Sequence, residues 1–441
     1  MVGNFQELKE KISTGQALIG VIGLGYVGLP LVLHFARKGC KVLGFDADEH
    51  KVEALNAGRS YIMHIPAEDI AAIRFRKSGS LFEATYDLNR LAEPDVLLIC
   101  VPTPLNRFRE PNLEYVETSA RNIAATLRRG QLISLESTTY PGTSDDIVLP
   151  ILAQTGLRVG EDFFLVYSPE REDPGNVGHN LRNTPKVVGG YTAACLELGV
   201  ALYAQVVERV VPVSSTRAAE MTKLLENIYR AVNIALVNEL KVLCHRMDID
   251  IYEVIDAAKS KPFGFQAFYP GPGLGGHCLP IDPLYLSWKL KTLRYSTRFI
   301  ELADDVNTHM PDHVVDRVSD ALNSFRKAVN GSRVLILGVA YKRNVNDVRE
   351  SPAFEIMQLL MERGAQVCYH DPYVPHLSHD RFSIDSIELD DAALADTDCV
   401  VIVTDHSSYD WPRVVACAQL VVDTRNALRD VAAGKAKIVK L

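Results

Sequence analysis

A strand, turn and helix signature near the start of this chain constrains its fold more than any other feature. Residues 17–22 form an apolar run that ends in Gly23-Leu24-Gly25-Tyr26-Val27-Gly28, the pattern G-x-G-x-x-G. Three glycines alone say little. Between a predicted strand and a predicted helix they describe a turn where the main chain can approach a pyrophosphate and a helix can pack closely on a strand. Residues 29–37 read as an apolar helix stopped by Gly39, and residues 41–45 return as a second strand ending in Asp46. This closes a βαβ unit. An acidic side chain at that place, about 20 residues past the glycines, accepts hydrogen bonds from an adenosine ribose and repels a 2′-phosphate. The cofactor expected on Gly23, Gly25, Tyr26, Val27, Gly28 and Asp46 is therefore NAD rather than NADP. The competing reading is a nucleotide-free relic of the same fold.

A length of 441 residues exceeds one typical core, so two or three domains are expected. The formal charge of −8 comes with no long Lys/Arg run, which argues against nucleic acid or an anionic membrane as the main partner. Eight scattered cysteines show no C-x-x-C pair and no metal-like Cys/His spacing, so reduced thiols in a cytoplasm are expected, with no metal. The start of the chain lacks a signal-peptide core, and no apolar run is long enough to span a bilayer. A soluble protein is expected.

Further apolar strands end in polar turns, where an α/β sheet binds ligands. Residues 95–101 run into Pro102-Thr103-Pro104, residues 132–135 into Glu136-Ser137-Thr138, and residues 164–167 into Ser168-Pro169-Glu170-Arg171-Glu172-Asp173-Pro174-Gly175. Thr103 and Thr138 either face a nicotinamide or bond their own turns. Glu170 either belongs to a solvated loop or is a fixed acid/base group at a strand end.

Residues 214–246 contain no proline or glycine and repeat apolar residues at three- and four-residue spacing, as in one long helix capped by Ser214 or Ser215. Lys223 and Asn227 share a face of it. They are either a snorkelling lysine in a polar stripe or an ammonium and an amide aimed at a developing alkoxide. The stretch 263–282 then breaks both backbone patterns with glycines and prolines, and is expected to be neither helix nor strand. Its glycines would let the main chain approach a ligand, its aromatic residues could line a pocket, and Phe265, Tyr269 and Gly273 are expected to meet substrate. It also carries Cys278 and Asp282. The thiol is either an exposed nucleophile or a small packed hydrophobe.

A second βαβ unit follows: strand 333–339, loop 340–350 with Lys342, Arg343 and Arg349, a helix capped by Ser351 with Pro352 in its first turn and Gly364 at its end, and strand 367–370. That loop suits phosphate, or simply faces solvent. Strands at 399–403 and 420–422 complete a small sheet. The expected fold is α/β, two Rossmann-like doubly wound domains joined by a long central helix.

NAD, a thiol, a lysine and amide pair and a cationic loop together suggest oxidation followed by covalent capture. The ordered blocks Gly23-Leu24-Gly25-Tyr26-Val27-Gly28-Leu29-Pro30, Val101-Pro102-Thr103-Pro104, Glu136-Ser137-Thr138, Ser168-Pro169-Glu170, Glu220-Met221-Thr222-Lys223-Leu224-Leu225-Glu226-Asn227, Gly275-Gly276-His277-Cys278 and Asn346-Asp347-Val348-Arg349-Glu350-Ser351 closely resemble the UDP-glucose/GDP-mannose dehydrogenase family of nucleotide-sugar 6-dehydrogenases over nearly the whole chain. The resemblance implies a four-electron oxidation of a UDP-sugar C6 hydroxymethyl to a carboxylate with two NAD. It places Cys278 on the nucleophile, Lys223 and Asn227 on the groups that steady the alkoxide, and Asp282 on the acid that organises them. Glu170 and Thr138 match residues of thioester hydrolysis and water binding, and Lys51 a contact at the adenosine end. Tyr341, Lys342 and Arg349 match a loop that reaches the nucleotide sugar and closes near the cofactor, and Arg171 lies in the substrate block. It also implies a homodimer through the central helix. The implied domains are an NAD-binding domain over 1–212, a central helical, dimerisation and catalytic-loop region over 213–315 and a UDP-sugar-binding domain over 316–441.

Two departures from the UDP-glucose pattern bear on the sugar. Ser168-Pro169-Glu170-Arg171 stands where Asn-Pro-Glu-Phe is usual, and His277 precedes the thiol in place of serine or alanine. The first resembles the branch acting on UDP-N-acetylhexosamines, His277 reads as a pocket or loop residue rather than a base, and Lys259-Ser260-Lys261-Pro262-Phe263-Gly264-Phe265 favours UDP-N-acetylglucosamine and a bacterial surface-polysaccharide role. Competing substrates are UDP-N-acetylmannosamine, UDP-N-acetylgalactosamine and UDP-glucose. A β-hydroxyacid dehydrogenase would share the first half only, and a nucleotide-sugar binding protein without turnover is the rival from another class.

Overall fold

The computed structural model describes residues 2–63, 65–77, 79–106, 108–171, 182–379 and 382–441. The charged run Glu172, Asp173, Pro174 and Gly175 lies outside them. The chain divides into two compact units, Met1–Glu226 and Asn227–Leu441.

The first unit is built on one eight-stranded sheet. Its strands are β1 (Ile19–Ile22), β2 (Val42–Phe45), β3 (Phe82–Thr85), β4 (Val96–Ile99), β5 (Leu132–Leu135), β6 (Phe164–Tyr167), β7 (Lys186–Gly190) and β8 (Val210–Val213). Their order is β3-β2-β1-β4-β5-β6-β7-β8, with every pair parallel except β6 and β7. Residues 96 and 98 join one apolar cluster and residues 97 and 99 the other, so the sheet is covered on both faces. That is why these strands read as unbroken apolar runs rather than alternating ones. The chain order reverses between β1 and β4, which makes a crevice at their carboxyl ends. The glycine turn and Pro102-Thr103 meet there: a Cβ on Gly23 would lie 2.5 Å from the Cys100 carbonyl oxygen.

A 31-residue helix, Thr216–Arg246, carries the chain from the first unit into the second, and Ser215 caps it by accepting from Ala218 N. The second unit adds a parallel five-stranded sheet. Its strands are β9 (Arg333–Leu337), β10 (Gln366–His370), then, after a separate hairpin of β11 (His376–His379) and β12 (Phe382–Asp385), β13 (Cys399–Ile402), β14 (Leu420–Asp423) and β15 (Lys437–Lys440). The order β10-β9-β13-β14-β15 puts its reversal, and its crevice, between β9 and β13. Ser351 caps helix Pro352–Glu362 as its sequence predicts, accepting from Ala353 N.

The stretch 263–282 departs from expectation. Cys278 is the first residue of a 14-residue helix, Cys278–Lys291. Pro280 sits where helix N–H groups have no partner anyway, so it removes nothing. Pro283 lies inside the helix and forfeits one bond.

No helix among the described residues is long and apolar enough to cross a membrane, and no cluster of His, Cys, Asp or Glu among them could hold a metal.

Candidate functional site

In the first unit the candidate residues gather at the carboxyl edge of the sheet. Gly23 adopts φ +90°, and a Cβ on Gly28 would lie 1.9 Å from the Gly23 carbonyl oxygen, so the first and third glycines are required by the protein itself. A Cβ on Gly25 would meet nothing within 4 Å. That space, at the start of helix Gly28–Arg37 where the helix dipole favours negative charge, is a cradle of the kind a pyrophosphate fills. Tyr26 and Val27 complete the turn.

Asp46 closes β2 and accepts from Leu24 N at 2.9 Å and from Asp48 N at 3.0 Å, so it fixes the glycine turn from below. Lys51 lies 3.7 Å from the same carboxylate. The Tyr61 hydroxyl donates to the Leu24 carbonyl, and burial raises its pKa. Pro102 is exposed and Thr103 buried after β4, while Thr138 is half-buried after β5. All fit an NAD lying across the crevice.

Glu170 ends β6 as a fixed group. Its Oε1 accepts from Arg171 N at 2.6 Å, and its Oε2 lies 3.6 Å from the Lys186 ammonium. Arg171, expected on substrate, makes a forked pair with Glu226 at 2.6 and 3.3 Å and donates to the Pro185 carbonyl. These bonds anchor this strand end to the long helix. One turn earlier on that helix, the side chain of the buried Lys223 makes no hydrogen bond or ion pair with any described residue.

In the second unit Asn227 Nδ2 donates to Asp282 Oδ2 at 2.6 Å, with both side chains buried. Asp282 stands one turn beyond Cys278 on the same helix, and the thiol is exposed at the positive end of that helix, where negative charge is favoured. The glycines ahead of it make room for neighbouring side chains. A Cβ on Gly275 would lie 2.7 Å from Tyr341 Cβ, one on Gly276 2.8 Å from the Tyr341 ring, and one on Gly273 3.1 Å from Pro352 Cβ. Gly276 N also donates to the Arg349 carbonyl at 3.0 Å. The glycines let the thiol's loop pack on the loop after β9. Phe265 and Tyr269 are exposed, and the Tyr269 hydroxyl is engaged by Asp256 at 2.8 Å and Lys259 at 3.0 Å. His277 is half-buried, with its Nε2 out of reach of solvent and lacking a partner, and that burial, helped by Arg349, pushes its pKa down to about 4.

The loop after β9 is less of a free cationic site than its sequence suggests. Arg349 makes a forked pair with Asp347, at 3.0 and 2.6 Å, and Arg343 pairs with Asp405. His406 accepts from Asn344 N at 2.9 Å, and Asp371 accepts from Val339 N at 2.7 Å and from the His406 ring at 3.0 Å. These bonds fix the loop, in which Lys342 stands half-buried beside Tyr341.

Several site groups were not singled out by sequence. Glu220, fully buried, accepts from Gly142 N at 2.6 Å, Ser144 N at 2.9 Å and Ser144 Oγ at 2.8 Å, and so ties the turn after Thr138 to the long helix. Burial raises its pKa and those donors oppose the rise. Glu136 and Lys186 form a buried ion pair at 2.8 Å. A lysine opening an otherwise apolar run is the sequence mark Lys186 leaves.

Residues 17–207 match the NAD binding domain of the UDP-glucose/GDP-mannose dehydrogenase family, residues 217–309 its central domain and residues 335–430 its UDP binding domain. The chain is 36% identical over 358 residues to a UDP-N-acetyl-D-glucosamine 6-dehydrogenase of Pseudomonas aeruginosa, covering 81% of this chain and 83% of that one. It is 35% identical over 421 residues to an NDP-N-acetyl-D-galactosaminuronic acid dehydrogenase of Ralstonia nicotianae, covering 92% and 95%. The solved UDP-N-acetyl-D-mannosamine dehydrogenase of Pyrococcus horikoshii superposes with a TM-score of 0.86 at 30% identity, covering 96% of this chain and 98% of that one. The chain belongs to the UDP-glucose/GDP-mannose dehydrogenase family and is an NAD-dependent UDP-sugar dehydrogenase.

Proposed function

We propose that this enzyme oxidises the C6 hydroxymethyl of UDP-N-acetyl-D-glucosamine to the carboxylate, through a thioester on Cys278. The observation that carries the reading is the exposed Cys278 thiol at the head of a helix whose next turn buries Asp282 against Asn227. Bound NAD supplies the hydride acceptor, one molecule for each oxidation, and Gly23, Gly25, Tyr26, Val27, Gly28, Asp46, Lys51, Pro102, Thr103, Thr138 and Arg349 would hold it. The residues of the chain do the rest. Lys223 and Asn227 donate to the substrate oxygen as charge develops on it, and Asp282 keeps the amide oriented. Cys278 adds to the aldehyde carbon, giving a thiohemiacetal that a second oxidation turns into a thioester. Glu170 takes the proton of the water that hydrolyses it, with Thr138 placing that water.

Tyr341, Lys342, Phe265, Tyr269, Gly273 and Arg171 make up the further proposed substrate contacts. The choice of sugar is supported by the Ser168-Pro169-Glu170-Arg171 block and by the Pseudomonas aeruginosa relative. We place the enzyme in the cytoplasm, in keeping with its eight free cysteines, and in a pathway to surface polysaccharide. We also read it as a homodimer. Tyr229, Leu236, Leu240, Leu243 and Met247 form an exposed apolar stripe at helical spacing, the kind of surface a second copy covers. The domain limits proposed remain 1–212, 213–315 and 316–441.

The test is the NADH released per sugar consumed with each of the four UDP-sugars. Two per UDP-N-acetylglucosamine with a carboxylate product is expected. One per sugar, or an unchanged rate of acid formation in Cys278→Ala, overturns the covalent route.

A further inference from the structure

We propose that Lys186, held by Glu136, is a positioning residue that aims the Glu170 carboxylate at thioester hydrolysis. This rests on the reading of Glu170 given above. Lys186 opens β7, the strand that runs antiparallel to β6, and so faces the turn into which β6 leads. Its ammonium donates to Glu136 Oε2 at 2.8 Å and to the Pro169 carbonyl at 3.2 Å, and faces Glu170 Oε2 at 3.6 Å. Side-chain exposure falls from 12% at Glu170 to 2% at Lys186 and 0% at Glu136. The charge is therefore deepest where it does no chemistry and reaches the surface at the working carboxylate.

Two features argue against simple charge neutralisation. The ammonium lies between two carboxylates, so neutralising Glu136 accounts for only one of them. The two distances also differ in kind: 2.8 Å is a charge-assisted hydrogen bond, whereas 3.6 Å is beyond one, so the ammonium attracts Glu170 Oε2 without hydrogen-bonding it. Glu136 is braced on its other oxygen by the Tyr203 hydroxyl, which lies 2.7 Å from Ser134 Oγ, and the Lys186 ammonium sits 5.1 Å from the centre of the Tyr203 ring. With Lys186 fixed from behind, the Pro169 carbonyl and the Glu170 carboxylate share one anchor. The titratable groups around them are Lys186, Glu136, Tyr203, Cys100 and His34.

In the step concerned, the oxygen of water bonds to the thioester carbon and its proton passes to Glu170. The carbon–sulfur bond then breaks with its electron pair staying on the sulfur of Cys278. No electron acceptor takes part. The ammonium at 3.6 Å attracts the charged carboxylate of Glu170 toward its own side of the turn, and withdrawing the cation removes that attraction.

Three variants test this: Glu136→Gln, the charge-neutral pair Lys186→Met/Glu136→Gln, and Glu170→Gln as the reference. Each is mixed with NAD and UDP-N-acetyl-D-glucosamine, or the UDP-sugar that turns over best. NADH release is followed by stopped flow and the covalent adduct on Cys278 by intact-protein mass. In the double variant, hydrolysis is expected to slow at least tenfold, so that two NADH per subunit appear in a burst at a near wild-type rate and the adduct accumulates. The acid limb of its pH profile should move up. In Glu136→Gln, which leaves Glu170 as the ammonium's one carboxylate in this cluster, the acid limb should move down. The opposite signs are the signature that a merely structural pair would not give, and the conservative single variant carries the test even if the double variant fails to fold. Adduct in Glu170→Gln with neither shift nor adduct in the Lys186 and Glu136 variants overturns the role of Lys186 alone. No adduct in Glu170→Gln overturns the reading of Glu170 itself.

Discussion

Replacing Gly25 by alanine should separate cofactor binding from folding. A Cβ at this position meets no atom within 4 Å, and the backbone there is not among the left-handed glycines, so the fold accepts the methyl without strain. Alanine also narrows the unfolded ensemble, so stability should hold or rise by about 0.4–1 kcal/mol. The methyl instead occupies the space above the turn where a pyrophosphate oxygen would come within hydrogen-bonding distance of the main chain. Losing one charge-assisted hydrogen bond costs about 1.5–3 kcal/mol. At 1.4 kcal/mol per decade this weakens NAD binding by roughly 10- to 150-fold. Calorimetric titration with NAD, paired with a urea melt in its absence, reads both quantities. Gly28→Ala is the control of opposite kind, because its Cβ would fall 1.9 Å from the Gly23 carbonyl oxygen and must displace the helix, so it should lose stability first. If Gly25→Ala binds NAD within threefold of wild type, the open space is not the pyrophosphate cradle and the reasoning fails.

Glu220→Ala should cost about 2–5 kcal/mol in a urea melt, since it strips acceptors from the buried Gly142 and Ser144 N–H groups, and a loss under 1 kcal/mol would mean that water replaces the carboxylate. Leu240→Glu on the exposed stripe should give a monomer by light scattering, and an unchanged dimer would move the interface elsewhere. Acid should destabilise the fold through His277 and His313, each pushed down to about 4 mainly by burial, with Arg349 beside the first and Arg317, His245 and Lys241 around the second. Both stay neutral in the fold while an unfolded histidine takes a proton near pH 6.5, so their contribution is whole above 6.5 and drains away toward pH 4. The slope is at most about 1.4 kcal/mol per pH unit for His277 and less for the partly exposed His313. Urea melts at pH 7.5, 6.0 and 5.0 should therefore flatten in His277→Gln/His313→Gln, and an equal slope would assign the acid sensitivity to other groups.

The elements legible in the sequence were those buried on both faces. β1, β2, β4, β5 and β6 announce themselves because every residue is covered, which forces an apolar run. β3 alternates buried and exposed positions over four residues, β7 opens on a lysine and β8 contains Pro212, so none of the three carries that mark and all three pair toward the margins of the sheet. The helix from Cys278 was hidden for a different reason. Its prolines and glycines read as breakers, yet proline in a first turn breaks nothing, and the neighbouring glycines make room for the Tyr341 ring.

The same logic explains which parts of the site stayed out of sight. Of the proposed ligand contacts, Gly25, Asp46 and Glu170 stand in short blocks after strands, whereas Lys223 lies on the long helix and Cys278 at the head of another. The groups that aim them come from far along the chain: Lys186 reaches Glu136 across 50 positions and Glu220 reaches Gly142 across 78. Nothing in local spacing marks such a pair, because only the closed sheet brings its members together. Burial gives these pairs their force, since a carboxylate out of water must find its donors inside the fold, and each donor it finds fixes a strand end. In the first unit those strand ends carry Thr138 and Glu170, so the precision of the candidate site is a product of the sheet that hides its supports.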